Sequence, residues 1–165
     1  MDFLRTERLG FRIWTASDLE LAYALWGNDE VTRYFGGPFS REWVEQRLAS
    51  EIENQRTRGF QYWPLFLLET GEFVGACGLR PREEGIHTFG FHLLPQFWGR
   101  GLATEAARAV IGYAFDTLKV KALFAGHHPE NMRSQRALQS LGFVYWRHDL
   151  YPPTGLQHPG YLLTK

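Results

Sequence analysis

The chain has 165 residues, 44% hydrophobic and 16% aromatic, which is enough apolar surface for one core-forming domain over residues 1–165. Eighteen Lys and Arg balance eighteen Asp and Glu; no net field recruits nucleic acid or a membrane surface, although neutrality is compatible with a local basic pocket for an anionic ligand. The single cysteine, Cys77, excludes an intrachain disulfide and a cysteine-cluster metal site and reads as buried core. No window approaches the roughly 18 uninterrupted apolar residues of a membrane span, and the charged opening "MDFLRTER" lacks a signal core, so the expected compartment is a reducing cytoplasm.

In chain order, "LGFRIW" (9–14) alternates and reads as a strand. Ser17 and Asp18 then offer an N-cap for a helix carrying Leu19, Ala22 and Trp26. "NDEVTRYF" predicts a short helix closed by Gly36, Gly37 and Pro38. Ser40 caps a longer amphipathic helix over 41–56 that turns Trp43, Val44, Leu48 and Ile52 inward; its mixed charges read as a solvated face. After Gly59, "FQYWPLFLLE", "EFVGACGLR" and "IHTFGFHLL" are three apolar strands separated by turns. A helix over 101–118 presents Leu102, Ala106, Val110 and Ala114 on one stripe. "VKALFAGH" is a strand, 131–141 a helix stopped by Gly142, and 143–151 with 159–164 a closing pair of strands whose exposed edge leaves monomer and homodimer both open. The expected class is α+β: a central mixed, mostly antiparallel sheet of six to seven strands flanked by helices.

The stretch "PQFWGRGLATEAARAV" sets Gly99 and Gly101 at a helix start. Unpaired amides and the positive end of a helix dipole form an anion site there, and the glycines let ligand oxygens reach the backbone. Arg100 adds charge at the mouth. A tight strand-to-helix turn without ligand is the plainer alternative. The GxxxxGK[ST] string of nucleotide-binding loops is absent, and the dinucleotide fingerprint fails at Thr104 and Lys121.

The hexapeptide "QFWGRG" fits the Q/R-x-x-G-x-G/A pattern, and "FGFHLLPQFWGRGLATEAARAVIGYAFDTL" closely resembles the GCN5-related N-acetyltransferases (GNAT), in particular the ribosomal-protein alanine acetyltransferase (RimJ/RimL) branch. "LRTERLGFRIWTASDLELAYAL", "NDEVTRYFGG" and "HPENMRSQRALQSLGF" resemble other parts of that branch in the same order. The resemblance implies a single acetyltransferase domain that uses acetyl-CoA and no metal. The backbone of Trp98, Gly99, Arg100, Gly101, Leu102, Ala103 and Thr104 would hold the pyrophosphate. Leu93 and Leu94 would pair with the pantetheine amides in the manner of an added strand. Asn131 and Ser134 would approach the pantetheine arm from the other side, although Asn131 would serve equally as an N-cap.

The reaction the resemblance implies is direct attack of a primary amine, on a protein N-terminus or a small molecule, upon the thioester in a ternary complex. The chain departs from the family at Thr88, where a glutamate is common, at Phe91, where a tyrosine is common, and at Leu138, where many relatives place an acidic tyrosine. Ser134 is then the candidate for protonating the thiolate, and His92 and His127 the candidate bases; a water relay competes with both. His127 and His128, adjacent on a strand, face opposite ways and do not form a metal pair. Trp26, Tyr34, Phe35 and Trp63 are candidates for the acceptor pocket, with Glu42 or Asp149 for an ammonium. The alternative from another class is a non-catalytic acyl-CoA-binding module.

Overall fold

The structure is a computed structural model that describes residues 1–165. One eight-stranded sheet organises it, built from β1 (Leu4–Arg5), β2 (Leu9–Phe11), β3 (Tyr62–Leu67), β4 (Phe73–Pro81), β5 (Ile86–Leu93), β6 (Ala122–Gly126), β7 (Val144–Tyr151) and β8 (Leu156–Thr164). The strand order is β1-β2-β3-β4-β5-β6-β8-β7, and only β5 and β6 run parallel. The helices are α1 (Leu19–Trp26), α2 (Asp29–Thr32), α3 (Arg41–Arg58), α4 (Leu102–Asp116) and α5 (Met132–Ser140). The α+β reading holds, with one more strand than expected. The addition is β1, whose two residues pair with Gly10 and Phe11; two residues show no periodicity.

The strand expected over 9–14 ends at Phe11; the Arg12 amide still donates to the Pro64 carbonyl of β3 at 3.0 Å, and the chain leaves the ladder after it. The Trp14 amide donates to the Gln61 side chain at 2.8 Å, and its indole donates to the Tyr62 carbonyl. The start of the first helix also differs from expectation. Asp18 accepts from the Thr15 amide at 2.8 Å across a short 3-10 turn, and α1 begins after it without a side-chain cap. Ser40 does cap α3, accepting from the Trp43 amide at 3.1 Å, and Gly59 ends that helix in the left-handed region at φ 82°.

Side-chain alternation along the central strands sorts the helices onto two faces. On β3 the Trp63 ring packs against Tyr113 of α4, with centroids 5.6 Å apart, while its neighbour Tyr62 lies under the Arg47 guanidinium of α3 at 5.0 Å. Helix α1 packs on α3, and α4 packs on β4 and β5. Cys77, on β4, is fully buried in the core and its thiol is pushed up by desolvation.

Helix α3 corrects the solvated-face reading. Val44, Leu48 and Glu51 form its buried stripe. The fully buried Glu51 carboxylate accepts from Arg47 Nε at 2.7 Å and from the Tyr62 amide at 2.7 Å. It thereby ties α3 to the first residue of β3. Removing one partner of a buried pair leaves the other charge uncompensated, so Glu51→Ala should cost about 3–5 kcal/mol in denaturant unfolding. Glu51→Gln, which keeps one acceptor, should cost less.

Candidate active site

The parallel pairing of β5 with β6 covers only 86–88 opposite 122–124. Beyond it, β4 holds β5 as far as Leu93, and β8 holds β6 as far as Gly126. The two strands therefore part, and from Phe89 onward one edge of β5 has no strand beside it. A cleft of about 850 Å³ occupies this opening, reaching from the loop before α4 to α3. That volume suits a large ligand.

The loop before α4 forms the first wall. Gly99 and Gly101 sit at φ 72° and 75°, a region that L-residues adopt only at a cost. A Cβ at Gly99 would meet nothing within 4 Å, and one at Gly101 only the Arg8 guanidinium at 3.5 Å. Backbone conformation therefore explains both glycines, and the open space beside them is additional. From residue 99 to 104 no backbone N–H donates to a protein acceptor; the first helical bond is from Glu105 to the Gly101 carbonyl at 3.1 Å. Arg8 braces the loop, donating to the Arg100 carbonyl at 2.8 Å and pairing with Glu105 at 2.7 Å. Trp98, Gly99, Gly101, Leu102, Ala103 and Thr104 line the cleft; Arg100 does not, its guanidinium lying 5.5 Å from the Phe97 ring. Arg133, which sequence reasoning overlooked, stands at the wall 5.4 Å from the Trp98 ring.

Of the two leucines expected at the pantetheine arm, Leu93 lines the cleft and Leu94 does not, and parts of both backbones are engaged. The Leu94 amide donates to Val74 at 2.9 Å, and the Leu93 carbonyl accepts from the Trp98 indole at 2.8 Å. Opposite, Asn131 is the N-cap of α5. Its Oδ1 accepts from the Ser134 amide at 3.2 Å, and its Nδ2 donates to Ser134 Oγ at 3.2 Å. That bond uses a lone pair of the hydroxyl and leaves its proton free to donate. Both residues line the cleft, and so does Leu138, which is 2% exposed and brings only an apolar side chain to the wall.

The two histidines have different surroundings, and neither has a basic lone pair to offer. His92 Nδ1 accepts from the Trp26 indole at 3.1 Å. An indole only donates, so the neutral ring carries its proton on Nε2. Burial, with Arg47 and Arg80 nearby, lowers its pKa to about 3. His92 is held flat against Phe35, with centroids 4.3 Å apart, and lines the cleft. His127 has both nitrogens occupied: Nδ1 lies 2.7 Å from the His128 carbonyl, and Nε2 lies 3.1 Å from the Tyr161 hydroxyl. No group of three His, Cys, Asp or Glu side chains converges as a metal site.

Of the four expected pocket aromatics, Tyr34 and Phe35 line the cleft. Trp26 and Trp63 do not, because both are fully buried. Trp26 orients His92, and the Trp63 indole donates to Gln55 at 2.9 Å. Glu42 is exposed and off the wall. Asp149 lines the cleft but is already paired with Arg147 at 3.0 Å and Arg82 at 3.5 Å. Gly90 keeps the floor bare, since a Cβ there would strike the Tyr62 hydroxyl. The sequence reasoning missed Arg47, Arg80 and Trp43, all of them on the wall. The available signal was the spacing of Val44, Leu48 and Glu51, which puts a carboxylate on the buried stripe with Arg47 four residues before it.

His92 gives a pH prediction. Unfolded, it takes up a proton near pH 6.5, but folded only near 3. The unfolded state therefore binds more protons across that window, and the stability contributed by neutral His92 is complete above pH 6.5 and lost as pH falls toward 3. The His92 ring resonances should show no titration above about pH 4; an inflection near neutrality would contradict the geometry.

Residues 8–144 match the family model described as the acetyltransferase (GNAT) domain. The uncharacterised N-acetyltransferase p20 of Bacillus licheniformis is 32% identical over 151 residues, covering 87% of this chain and 83% of that one. The crystal structure of an acetyltransferase from Agrobacterium tumefaciens superposes with a TM-score of 0.84 at 27% identity, covering 98% of this chain and 94% of that chain. The same fold recurs, at 15% identity and a TM-score of 0.81 over 96% and 95% of the two chains, in the ribosomal L7/L12 α-N-protein acetyltransferase RimL solved with coenzyme A. With a family model spanning most of its length, this chain belongs to the GNAT acetyltransferases.

Proposed function

We propose that this protein moves an acetyl group from acetyl-CoA to a primary amine by direct attack within a ternary complex. The observation that carries the reading is the run of unpartnered backbone N–H groups over 99–104, opening at a helix start onto the cleft between the parted strands. Five of these six donors belong to residues that line the cleft, and with Arg133 on the same wall they match a pyrophosphate better than any neutral group. The free edge of β5 after Thr88 suits the amides of an extended arm. When bound, acetyl-CoA supplies the thioester carbonyl and its thiolate leaving group.

The residues divide the remaining work. The amine forms a C–N bond to the carbonyl carbon and the C–S bond breaks; the amine gives up a proton and the sulfur gains one. His92 is read as a donor rather than a base, because its Nε2–H has no protein partner and Trp26 fixes the tautomer. It would polarise the carbonyl oxygen. Ser134, whose hydroxyl proton is free while Asn131 occupies a lone pair, would protonate the sulfur. Water is the proton acceptor for the amine, since both histidines are spoken for and the nearby Arg47 and Arg80 already favour an uncharged amine.

Acetyl-CoA at 100 times its Kd should stabilise the fold by about 2.7 kcal/mol in thermal unfolding, and amines should drive release of free thiol. Ser134→Ala should lower kcat about 100-fold with the stabilisation retained. Stabilisation without thiol release across a broad amine panel would favour the binding-module alternative. Absence of stabilisation would overturn the cradle itself.

A further inference from the structure

The acceptor end of the cleft carries a charge imbalance that acetyl transfer to a plain amine does not explain. Arg47 is over nine-tenths buried, with its side chain 9% exposed. Of its five N–H groups only that on Nε finds an acceptor, Glu51, and Nη2 is buried with no partner. The guanidinium is walled by rings at 4.6 Å (Trp26), 5.0 Å (Tyr62) and 5.9 Å (Trp43). These faces attract a cation but do not accept its hydrogen bonds in the plane of the fork. Buried polar groups are normally satisfied, so an orphan donor in a cleft wall points to something that binds there.

Charge counting locates the surplus. Arg82 and Arg147 meet Glu83 and Asp149 at distances from 3.0 to 3.7 Å, two cations against two anions. Arg47 and Arg80 share the single Glu51 carboxylate, at 2.7 and 3.8 Å. One positive charge at the acceptor end of the cleft, apart from Arg133 beside the loop before α4, is therefore left without a counter-charge. It lies beside the transfer point, because Arg47 and His92 flank the same two rings: Trp26 donates to His92, and the Tyr62 ring is 5.6 Å from His92. Apolar rings stand beside that charge, with Phe39 stacked on Trp43 at 3.8 Å and Phe35 on His92.

We infer that the acceptor is a small amine bearing a carboxylate close to the amino group and an apolar remainder, with the carboxylate seated on Arg47 and Arg80. An amino acid with an aromatic or aliphatic side chain has this chemistry. The inference rests on the acetyltransferase reading and names the substrate class of that site.

The test compares matched acceptors under acetyl-CoA: phenylalanine, its methyl ester, and phenethylamine, with leucine and isoamylamine as a second set. The carboxylated members should have kcat/KM higher by roughly 10- to 100-fold, the range for hydrogen bonds to a charged group. The ester separates charge from amine basicity. Arg47→Lys, which keeps a cation for Glu51, and Arg80→Gln, at a partly exposed position, should each shrink that ratio by roughly 10-fold or more while acetyl-CoA still raises Tm. Equal use of acids, esters and amines by the wild type would overturn the inference and leave the acetyltransferase standing. Succinyl-CoA outperforming acetyl-CoA with uncharged amines would assign the carboxylate site to the acyl group and also overturn it. Lack of both acetyl-CoA stabilisation and thiol release would instead sink the underlying reading.

Discussion

The interruption of the β5–β6 pairing after three residues is the constraint from which the site follows. Each strand is held elsewhere, β5 by β4 through Leu93 and β6 by β8 through Gly126, so neither can follow the other as the sheet twists. Phe143, which follows α5, stacks on Phe89 where the strands part and fills the space beneath with apolar surface. An unpaired strand edge buried in a protein costs free energy unless water or a ligand satisfies it. The fold keeps this edge open at the bottom of a cleft, with a helix start on one side and an asparagine-capped helix on the other.

The second structural expense is the ion cluster on α3. Two guanidinium groups and one buried carboxylate are not a cheap way to fasten a helix to a sheet, since hydrophobic replacements often do as well or better. Glu51 recovers part of that expense by accepting the Tyr62 amide, and Arg47 by lying over three aromatic rings. What remains is an orphan Nη2 and an uncompensated charge beside His92. Burial first, and then the charges of Arg47 and Arg80, keep His92 neutral.

Local chemistry was legible in the chain and long-range placement was not. The Gly99–Gly101 loop, the Ser40 cap and the Asn131–Ser134 pair are visible because each is decided within a few residues, and the structure puts all three where the spacing predicts. Trp26 and Trp63 were misplaced because an aromatic at a given spacing looks the same on a cleft wall as in the core; only strand pairing decides which. Arg47 was hidden because an i,i+4 Arg–Glu pair normally marks a solvated face. Here it lies on the stripe of Val44 and Leu48. At the positions where the resemblance led us to expect a glutamate and a tyrosine stand Thr88 and Leu138, which line the cleft but bring it no carboxylate or phenol. Proton handling therefore had to be read from hydrogen bonds, which fix the tautomer of His92 and occupy both nitrogens of His127.

The central claim is that the backbone of 99–104 receives the diphosphate of acetyl-CoA, and backbone amide NMR during a titration with coenzyme A tests it most directly. The account predicts that the largest shifts and the greatest slowing of amide exchange fall on residues 99–104 and on β5 beyond Thr88. Saturation with coenzyme A that leaves those amides unmoved, or that perturbs a different surface, would contradict it.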